Sequence, residues 1–363
     1  MSRMLVIFVC VMLLLCPSLA GCESVSYDLL PDGVLRVHFM DVGQADCTFI
    51  ETADGHAVMI DTAYEQKADE ICEYVSGLGY SHIDTLVLTH FHDDHAGGAE
   101  KILDTFSVGM VYMTDVDESD GECERIRALA EERGAIVRAA RMRVQFSFGE
   151  TCFRFLLPSR ETHENINDRC AVLRLEYKSR SFLFMGDCGY EAERELLNCF
   201  PDISADVVKA GHHGGDDASG EELVAALGTG YVVYSCGEGN NYGHPSPRTT
   251  DRWERAGARS FRTDVDSTVV FCTDGEGMLC AGAQDRLYWK ENTECLPYSP
   301  PTREKYVFCE YVLNTYYHYI HKHWCPYVEN TDAEYLERTN EDTKRLISEG
   351  YVLCKYCFNT SED

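Results

Sequence analysis

The chain has 363 residues, 45% of them hydrophobic, which is enough for more than one folded domain with an apolar core. Its 61 acidic and 32 basic residues give a formal charge of −29. Because proteins that bind duplex nucleic acid usually carry a basic surface, this balance argues against stable duplex DNA binding. Only a local basic strip or bound cations would reverse that repulsion.

The N-terminal residues indicate export. One basic residue, Arg3, precedes the apolar run LVIFVCVMLLLC at residues 5–16, and the tetrapeptide LAGC follows at 19–22. This end resembles a bacterial lipoprotein signal, in which residues 1–21 are removed and Cys22 is lipidated. We therefore expect a lipoprotein on the extracytoplasmic face of the cell membrane. The alternative is an uncleaved signal anchor, although the apolar run is short for a membrane-spanning helix.

The spacing of apolar residues then predicts strand-rich stretches that alternate with helices in two halves. This alternation predicts two mixed sheets with helices on their outer faces, an α/β fold. In chain order the predicted elements are strands within 34–61, a helix over 65–78, a strand over 85–90, a helix over 98–106, a strand over 108–113, a helix over 123–134, a strand over 135–140, strands within 143–186, a helix over 191–199, a strand over 231–236, a helix over 247–256 and a strand pair ending near 283.

The eighteen cysteines raise the question of disulfides, since the chain is expected to be exported. Most of them stand singly in apolar, strand-like runs, as Cys47, Cys170 and Cys272 do. A cysteine in such a run is more typical of a small buried hydrophobic residue.

Titratable residues are concentrated in the stretch THFHDDHAGG at residues 89–98, directly after the apolar run TLVL at residues 85–88. His90 and His92 are two positions apart, so both side chains can point the same way. Asp94 and His95 follow one turn later. Imidazole and carboxylate groups next to a buried strand need a partner, and a metal ion is the partner that this set favours.

Here the chain resembles the metallo-β-lactamase superfamily, and within it the hydrolase domain of ComEC-type DNA-uptake competence proteins. The resemblance covers residues 34–283 and implies an αββα sandwich. The motifs that carry it are HFMDVGQADCTFIE, MIDTA, LTHFHDDHAGG, NDRCAVLRLEY, FLFMGD, VVKAGHHGG, NNYGHPSP and FRTD, in the family's order.

The resemblance also implies roles for individual residues and a pair of divalent ions, zinc or manganese, that activate water for hydrolysis. His90 and His92 would bind one ion, Asp94 and His95 the other, and Asp187 would bridge them. Either His212 or His213 would complete the second ion, and Asp94 would transfer a proton. The remaining residues implied are Asp61 as a support for the histidine loop, and Gln44, Asp46 and His244 at the mouth of the site, with Asp46 and His244 as catalytic candidates.

One position departs from the superfamily pattern. A third histidine often completes the first ion, but Asn167 or Asp168 stands in that place here, with His163 just upstream. ComEC-type sequences also tend to have asparagine there. The departure predicts a weaker first ion, or one recruited with substrate. Lys209 either offsets phosphate charge or is an ordinary surface lysine.

Residues 284–305 contain three prolines and no clear periodicity, which predicts a linker. Residues 306–358 then form a small, aromatic-rich module. Its pairs His321-x3-Cys325 and Cys354-x2-Cys357 have spacings that suit a structural zinc ion, with His318 and His323 as rival ligands. It distantly resembles the zinc domain of the Ada DNA-repair protein. A disulfide among these cysteines is the alternative.

Together these features predict a membrane-anchored metal-dependent phosphodiesterase or nuclease, acting on a phosphodiester or single-stranded nucleic acid. Hydrolysis of another substrate, an ester, a lactone or a phosphocholine compound, is the alternative within the same fold, with a β-lactam least favoured. A different class altogether is a non-catalytic metal-binding lipoprotein.

Overall fold

The computed structural model describes residues 33–114, 121–159, 163–200, 203–281, 311–315, 318–322, 336–339, 343–348 and 350–354. Strands β1 to β19 in chain order are Leu35–Phe39, Thr48–Glu51, Ala57–Ile60, His82–Leu88, Ser107–Met113, Ile136–Ala139, Gln145–Phe148, Thr151–Leu157, Val172–Tyr177, Arg180–Phe184, Val207–Lys209, Tyr231–Tyr234, Arg259–Arg262, Val269–Thr273, Met278–Ala281, Tyr311–Asn314, Tyr319–Lys322, Leu336–Thr339 and Val352–Leu353. Helices α1 to α9 are Ala68–Gly77, Asp93–Ala96, Ala99–Thr105, Gly121–Glu132, Tyr190–Cys199, Glu221–Leu227, Pro247–Arg255, Thr263–Asp266 and Thr343–Ser348.

The strands before residue 282 form two mixed sheets. The first has the order β15-β14-β1-β2-β3-β4-β5-β6 and the second the order β13-β12-β11-β10-β9-β8-β7. The run β3 to β6 is parallel in the first sheet, and β10 to β13 is parallel in the second. Helices connect these parallel strands, as crossover connections require, and the remaining neighbours are antiparallel.

A continuous apolar core lies between the two sheets. Phe39 and Phe271 of the first sheet have ring centroids 6.0 Å apart, and Phe39 also lies 6.0 Å from Phe184 of the second sheet. Alternate residues of each strand supply this core because successive side chains of a strand point to opposite faces. Both sheets therefore bury the face that they turn towards each other.

The helices cover the outer faces of the sheets. Ile71, Val75 and Ile102 of α1 and α3 pack against the outer face of the first sheet, whereas Leu196 and Trp253 of α5 and α7 pack on the second. The predicted fold, two mixed sheets with helices outside, is thus confirmed. The predicted helices over 65–78, 191–199 and 247–256 are also confirmed, within one to three residues at their ends.

Among the described residues, every cysteine is a free thiol, and Cys47, Cys170 and Cys272 are buried, as their apolar neighbours indicate. In the same part of the chain, no helix combines the length and the apolarity that crossing a membrane requires.

A third sheet follows, with the order β18-β16-β17-β19. Leu313, Ile320 and Leu346 form its small core, to which α9 contributes. Residues 306–358 as a separate module, 284–305 as a linker and 34–283 as the hydrolase domain remain predictions.

Candidate metal centre

Loops from both sheets converge at one edge of the sandwich. His90 and His92 follow β4, Asp187 follows β10, and His213 follows β11. The strands β4, β10 and β11 all have their carboxyl ends at this edge. Ligand sites of α/β sheets are found at the carboxyl ends of the strands. Residues far apart in the chain therefore become neighbours.

The first group consists of His90, His92 and Asp187, whose ligand atoms all lie within 4.8 Å of one another. Nε2 of His90 is 3.0 Å from Nδ1 of His92 and 3.7 Å from Oδ2 of Asp187. His90 and Asp187 are buried, whereas His92, at the start of α2, is partly exposed. The group is thus open on the side of His92.

The second group consists of Asp94, His95, Asp187 and His213. Nε2 of His95 lies 3.1 Å from Oδ1 of Asp187, and Nε2 of His213 lies 3.2 Å from Oδ2 of Asp94. Asp187 belongs to both groups, with one oxygen towards each. Its position between them is the one that the resemblance implies for a bridging carboxylate.

The turn after β11 separates the roles of His212 and His213. Both have positive φ, 46° and 53°, so the backbone reverses sharply and the two rings diverge. His213 is buried in the second group, and its Nδ1 donates to the carbonyl of Ser235 at 2.9 Å. His212 lies outside both groups, with Nδ1 at 2.8 Å from Asp217. Of the two candidates, the structure brings only His213 to the cluster.

Asp61 supports the histidine loop from behind. It accepts hydrogen bonds from the backbone N–H of Thr89 at 2.7 Å, from the Thr89 hydroxyl at 2.8 Å and from Nδ1 of His95 at 2.8 Å. With its Nδ1 proton committed to Asp61, His95 presents Nε2 to Asp187. A carboxylate that fixes the tautomer of a metal-binding histidine typically acts this way.

The electrostatics of the cluster fit a cation. Within the described residues, Nε2 of His95 and Oδ1 of Asp187 are fully buried and have no hydrogen-bond partner. Burial would raise the pKa of Asp187, but His95 and His213 outweigh it and hold that pKa well below its ordinary value. Burial likewise opposes the charged form of His213, yet Asp187 and Asp46 raise its pKa to about 9. The carboxylates thus require positive charge beside them, which protonated imidazoles or divalent cations supply.

The stretch around Asn167 does not add a histidine to the first group. Nδ2 of Asn167 lies 3.5 Å from Nε2 of His212. Oδ1 of Asp168 accepts from the backbone N–H groups of Gly189 and Ala192, so Asp168 caps α5. His163 pairs with Glu195 at 2.6 Å. Asp168 and His163 are therefore engaged away from the cluster.

Comparison with known proteins accounts for this arrangement. The sequence profile of the metallo-beta-lactamase superfamily matches residues 40–238, more than half of the chain.

The chain belongs to the metallo-beta-lactamase superfamily.

Among curated relatives, the chain is 28% identical to ComE operon protein 3 of Bacillus subtilis over 253 residues, which are 65% of this chain and 33% of that protein. It is 27% identical to the competence protein ComA of Neisseria gonorrhoeae over 276 residues, 75% of this chain and 37% of that one. The chain thus spans about a third of the curated relatives it matches. Among solved structures, the metallo-beta-lactamase fold protein YhfI of Bacillus subtilis aligns with 66% of this chain and all of its own, at a TM-score of 0.48 and 13% identity.

In this superfamily member, Asp46 lies beneath the histidines. It is 5% exposed, and Oδ1 is 3.3 Å from Nδ1 of His213. Its Oδ2 forms an ion pair with the ammonium of Lys209, which is 3% exposed. The structure thus buries Asp46 instead of exposing it at the mouth, and the interpretation of Lys209 as an ordinary surface lysine is wrong. That Lys209 offsets phosphate charge stays a prediction. A lysine inside the apolar strand VVK was the signal for burial.

The mouth of the site is formed by the turn after β12 and by Gln44. Nε2 of Gln44 lies 3.4 Å from Nδ1 of His244, and its Oε1 accepts from the N–H of Gly237 at 3.1 Å. The His244 ring stacks against that of His213 with centroids 6.2 Å apart. Gln44 and His244 are therefore partly exposed next to the cluster, and the His244 ring directly borders it.

Of the C-terminal candidates, the described residues include His321 and Cys354. Both are buried, and β17 pairs with β19 so that the N–H of Cys354 donates to Ile320 at 2.9 Å, one residue before His321. His318 is exposed, and its ring lies 5.3 Å from that of Tyr351. The remaining predicted residues of these sites, Cys22, His323, Cys325 and Cys357, lie outside the described residues.

Proposed function

We propose that this chain is an exported, lipid-anchored, metal-dependent phosphodiesterase that acts on single-stranded nucleic acid or nucleotides. The observation that carries the proposal is the pair of histidine and aspartate groups that share Asp187. Superfamily membership supports hydrolysis, and the competence proteins among the relatives support a nucleic-acid substrate.

The donor set fits two divalent ions, zinc or manganese. Imidazole nitrogen and carboxylate oxygen suit both metals. His90, His92 and Asp187 would bind one ion, and Asp94, His95, Asp187 and His213 the other. When bound, such ions act as Lewis acids and lower the pKa of a water molecule towards neutrality.

The side chains around this centre have separable tasks. The Nδ1 donors of His95 and His213, paired with Asp61 and Ser235, leave both Nε2 atoms for the ions. Asp94 is 21% exposed at its side chain and so is reached by solvent. We assign to its carboxylate the proton that leaves the attacking water.

His244 and Asp46 act differently from each other. Burial and the neighbouring His212 lower the pKa of His244, so its imidazole is neutral at pH 7 and can donate one hydrogen bond to a substrate oxygen. Asp46 positions His213 and holds Lys209 without reaching substrate. Asp46, which the sequence suggested as a catalytic residue, is thus assigned a positioning role instead.

The acidic surface limits the class of nucleic acid. A formal charge of −29 opposes the approach of duplex DNA, where contacts from basic residues to phosphates supply most of the affinity. Arg125 on α4 pairs with Glu100, and Arg133, directly after α4, pairs with Asp104 at 2.7 Å, so these arginines are neutralised locally. A single strand that enters the metal centre needs no basic track, and no stable duplex binding is expected.

The membrane anchor rests on the sequence LAGC at residues 19–22. A lipid on Cys22 would hold the enzyme at the extracytoplasmic face of the membrane, with the metal centre outside the cell. Incorporation of labelled palmitate into the wild-type chain, and its loss in Cys22→Ser, tests the anchor separately from the activity.

A structural zinc ion in the C-terminal module is a further part of the proposal. The support is the placement of buried His321 on β17 and buried Cys354 directly after the neighbouring strand β19. Together with Cys325 and Cys357 they would form a closed tetrahedral site. Metal analysis of the zinc-loaded chain would then count three ions.

The activity test uses the full-length chain in detergent, freed of metal and reloaded with Mn2+ or Zn2+. The substrates are bis-p-nitrophenyl phosphate, single-stranded DNA and nitrocefin. We expect turnover of the two phosphodiesters, and its loss in Asp187→Ala and His92→Ala together with bound metal. His82→Ala is the matched control, because His82 begins the same strand, β4, at the end opposite to the cluster and is exposed.

The outcomes separate the alternatives. Turnover of nitrocefin alone contradicts the phosphodiesterase. Turnover of none of the three substrates, with two ions bound at this centre, indicates that the substrate is another ester, a lactone or a phosphocholine compound. A chain without bound ions at this centre indicates a lipoprotein without this chemistry.

A further inference from the structure

An exposed aromatic side chain, Tyr242, lies beside the metal centre. Tyr242 is 70% exposed, more than any other large hydrophobic residue among those described. Its ring stacks on that of His244, with centroids 5.7 Å apart and planes inclined by 29°. His244 in turn stacks on His213 at 6.2 Å. Three rings thus lead from solvent to the metal ligands.

The turn that carries Tyr242 is braced from within. Oδ1 of Asn240 accepts hydrogen bonds from the N–H groups of Tyr242 at 3.2 Å and His244 at 3.0 Å. Nδ2 of Asn240 donates to the carbonyls of Gly237 at 3.0 Å and His244 at 2.6 Å. These bonds fix the backbone of the turn and the stack on His244 orients the ring before any ligand arrives, so little ordering entropy is lost on binding.

A single exposed ring is ordinary on a protein surface, but this ring stacks on His244, which borders the metal cluster, so a ligand of the cluster would meet it. One ring face packs on His244 and most of the remaining ring surface is open. A flat group can cover one open face, whereas a quaternary ammonium ion is usually held by several ring faces. The geometry therefore suits a planar aromatic group.

We propose that Tyr242 is the stacking platform for the nucleobase next to the phosphodiester, which makes single-stranded nucleic acid the substrate class. This inference rests on the proposed function of the same site. Base stacking on an aromatic side chain accepts every base, and it supplies the affinity that this acidic chain cannot obtain from basic residues. Bases paired in a duplex have no free face, so the platform excludes duplex DNA.

The test is a binding measurement that needs no turnover. Fluorescence anisotropy of the full-length chain in detergent and EDTA compares an eight-nucleotide oligothymidylate with an abasic strand of the same length. Both carry the same phosphates, and only one carries bases. We expect the wild-type chain to prefer the thymidylate by roughly tenfold, the equivalent of one stacked base.

Two substitutions at the same position separate the ring from the hydroxyl. Tyr242→Phe keeps the ring and should keep the preference, whereas Tyr242→Leu should abolish it. Because the side chain is exposed, both variants should melt within a few degrees of the wild type. A preference that survives in Tyr242→Leu, or a wild-type chain that binds both strands equally or binds neither, overturns the platform.

Ionic strength provides a second measurement. Ordinary nucleic-acid binders lose affinity steeply with added salt because phosphate contacts release counterions. Here salt should leave the affinity for oligothymidylate unchanged or raise it, since it screens repulsion from the acidic surface. A steep loss of affinity with salt contradicts the platform.

The outcomes also distinguish the platform from the proposed function. Hydrolysis of bis-p-nitrophenyl phosphate without base preference leaves the phosphodiesterase standing and removes the platform. Preference for bases without any phosphodiester turnover removes the phosphodiesterase and leaves a nucleic-acid-binding surface.

Discussion

Replacement of Lys209 by methionine tests the buried ion pair beneath the metal centre. The side chain keeps its approximate length and loses its charge. The ammonium pairs with Asp46 at a site where both residues are at least 95% buried. Burial opposes the charged lysine, but Asp46 and Asp187 outweigh it and raise its pKa above the ordinary value, so Lys209 carries its proton at any working pH.

The expected loss of unfolding free energy depends on the charges that remain near Asp46 in the variant. Removing one partner of a buried pair leaves an uncompensated charge and typically costs 3–5 kcal/mol. His213 and His95, at 3.3 and 3.8 Å from Asp46, offer partial compensation, which places the cost near the lower end. We therefore expect a loss of about 3 kcal/mol in the free energy of unfolding, or roughly 6–12 °C in melting temperature for a domain of this size.

The assay is urea and thermal unfolding of metal-loaded chains. The double variant Asp46→Asn with Lys209→Met should recover at least half of the loss, because the orphaned charge is gone. Lys101→Met is the matched control: Lys101 pairs with Asp69 at 2.8 Å on the surface, and its removal should leave the melting temperature almost unchanged.

One result would refute this reasoning. If Lys209→Met melts like the wild type and only raises KM for phosphodiesters, Lys209 contacts substrate phosphate and the buried pair is not what stabilises this region.

Two further predictions concern Asp61 and Glu193. Asp61→Asn should weaken metal binding by about tenfold to a hundredfold, since His95 loses the acceptor that fixes its tautomer; chelator competition measures this, and an unchanged affinity would contradict it. Burial raises the pKa of Glu193 to about 7, against hydrogen bonds from Gly220 and Ser219, whereas the unfolded chain releases that proton near 4.5. Folding thus binds a proton between these pH values, and the free energy of unfolding should fall by up to about 3 kcal/mol as pH rises across this window. Glu193→Gln should lack this part of the pH dependence in urea titrations at pH 5 and pH 8, and parallel curves for both chains would count against it.

Much of the fold was predictable because its signals are local. The apolar spacing at residues 65–78 and 247–256 marks helices that the structure contains. The string from His90 to His95 lies within six residues, so its metal-binding character is visible without any tertiary contact. Asp187 stood out because a carboxylate at the end of the apolar run FLFMG is costly to bury without a partner.

Other assignments needed the folded chain. The choice of His213 over His212 depends on two consecutive residues of positive φ, which the pair HH does not reveal. The burial of Asp46 depends on Lys209, which lies on the other sheet and meets it only when the two sheets pack face to face.

Short sequence motifs and the spacing of apolar residues therefore determined the superfamily, the element pattern and most of the candidate ligands of this protein. Tertiary structure alone decided which histidine enters the cluster, which carboxylate is paired beneath it and that Tyr242 stands open at its mouth. The physical reason is that propensity, periodicity and motif spacing act over a few residues. Burial and the pairing of charges depend on loops that strands of two different sheets bring to one edge.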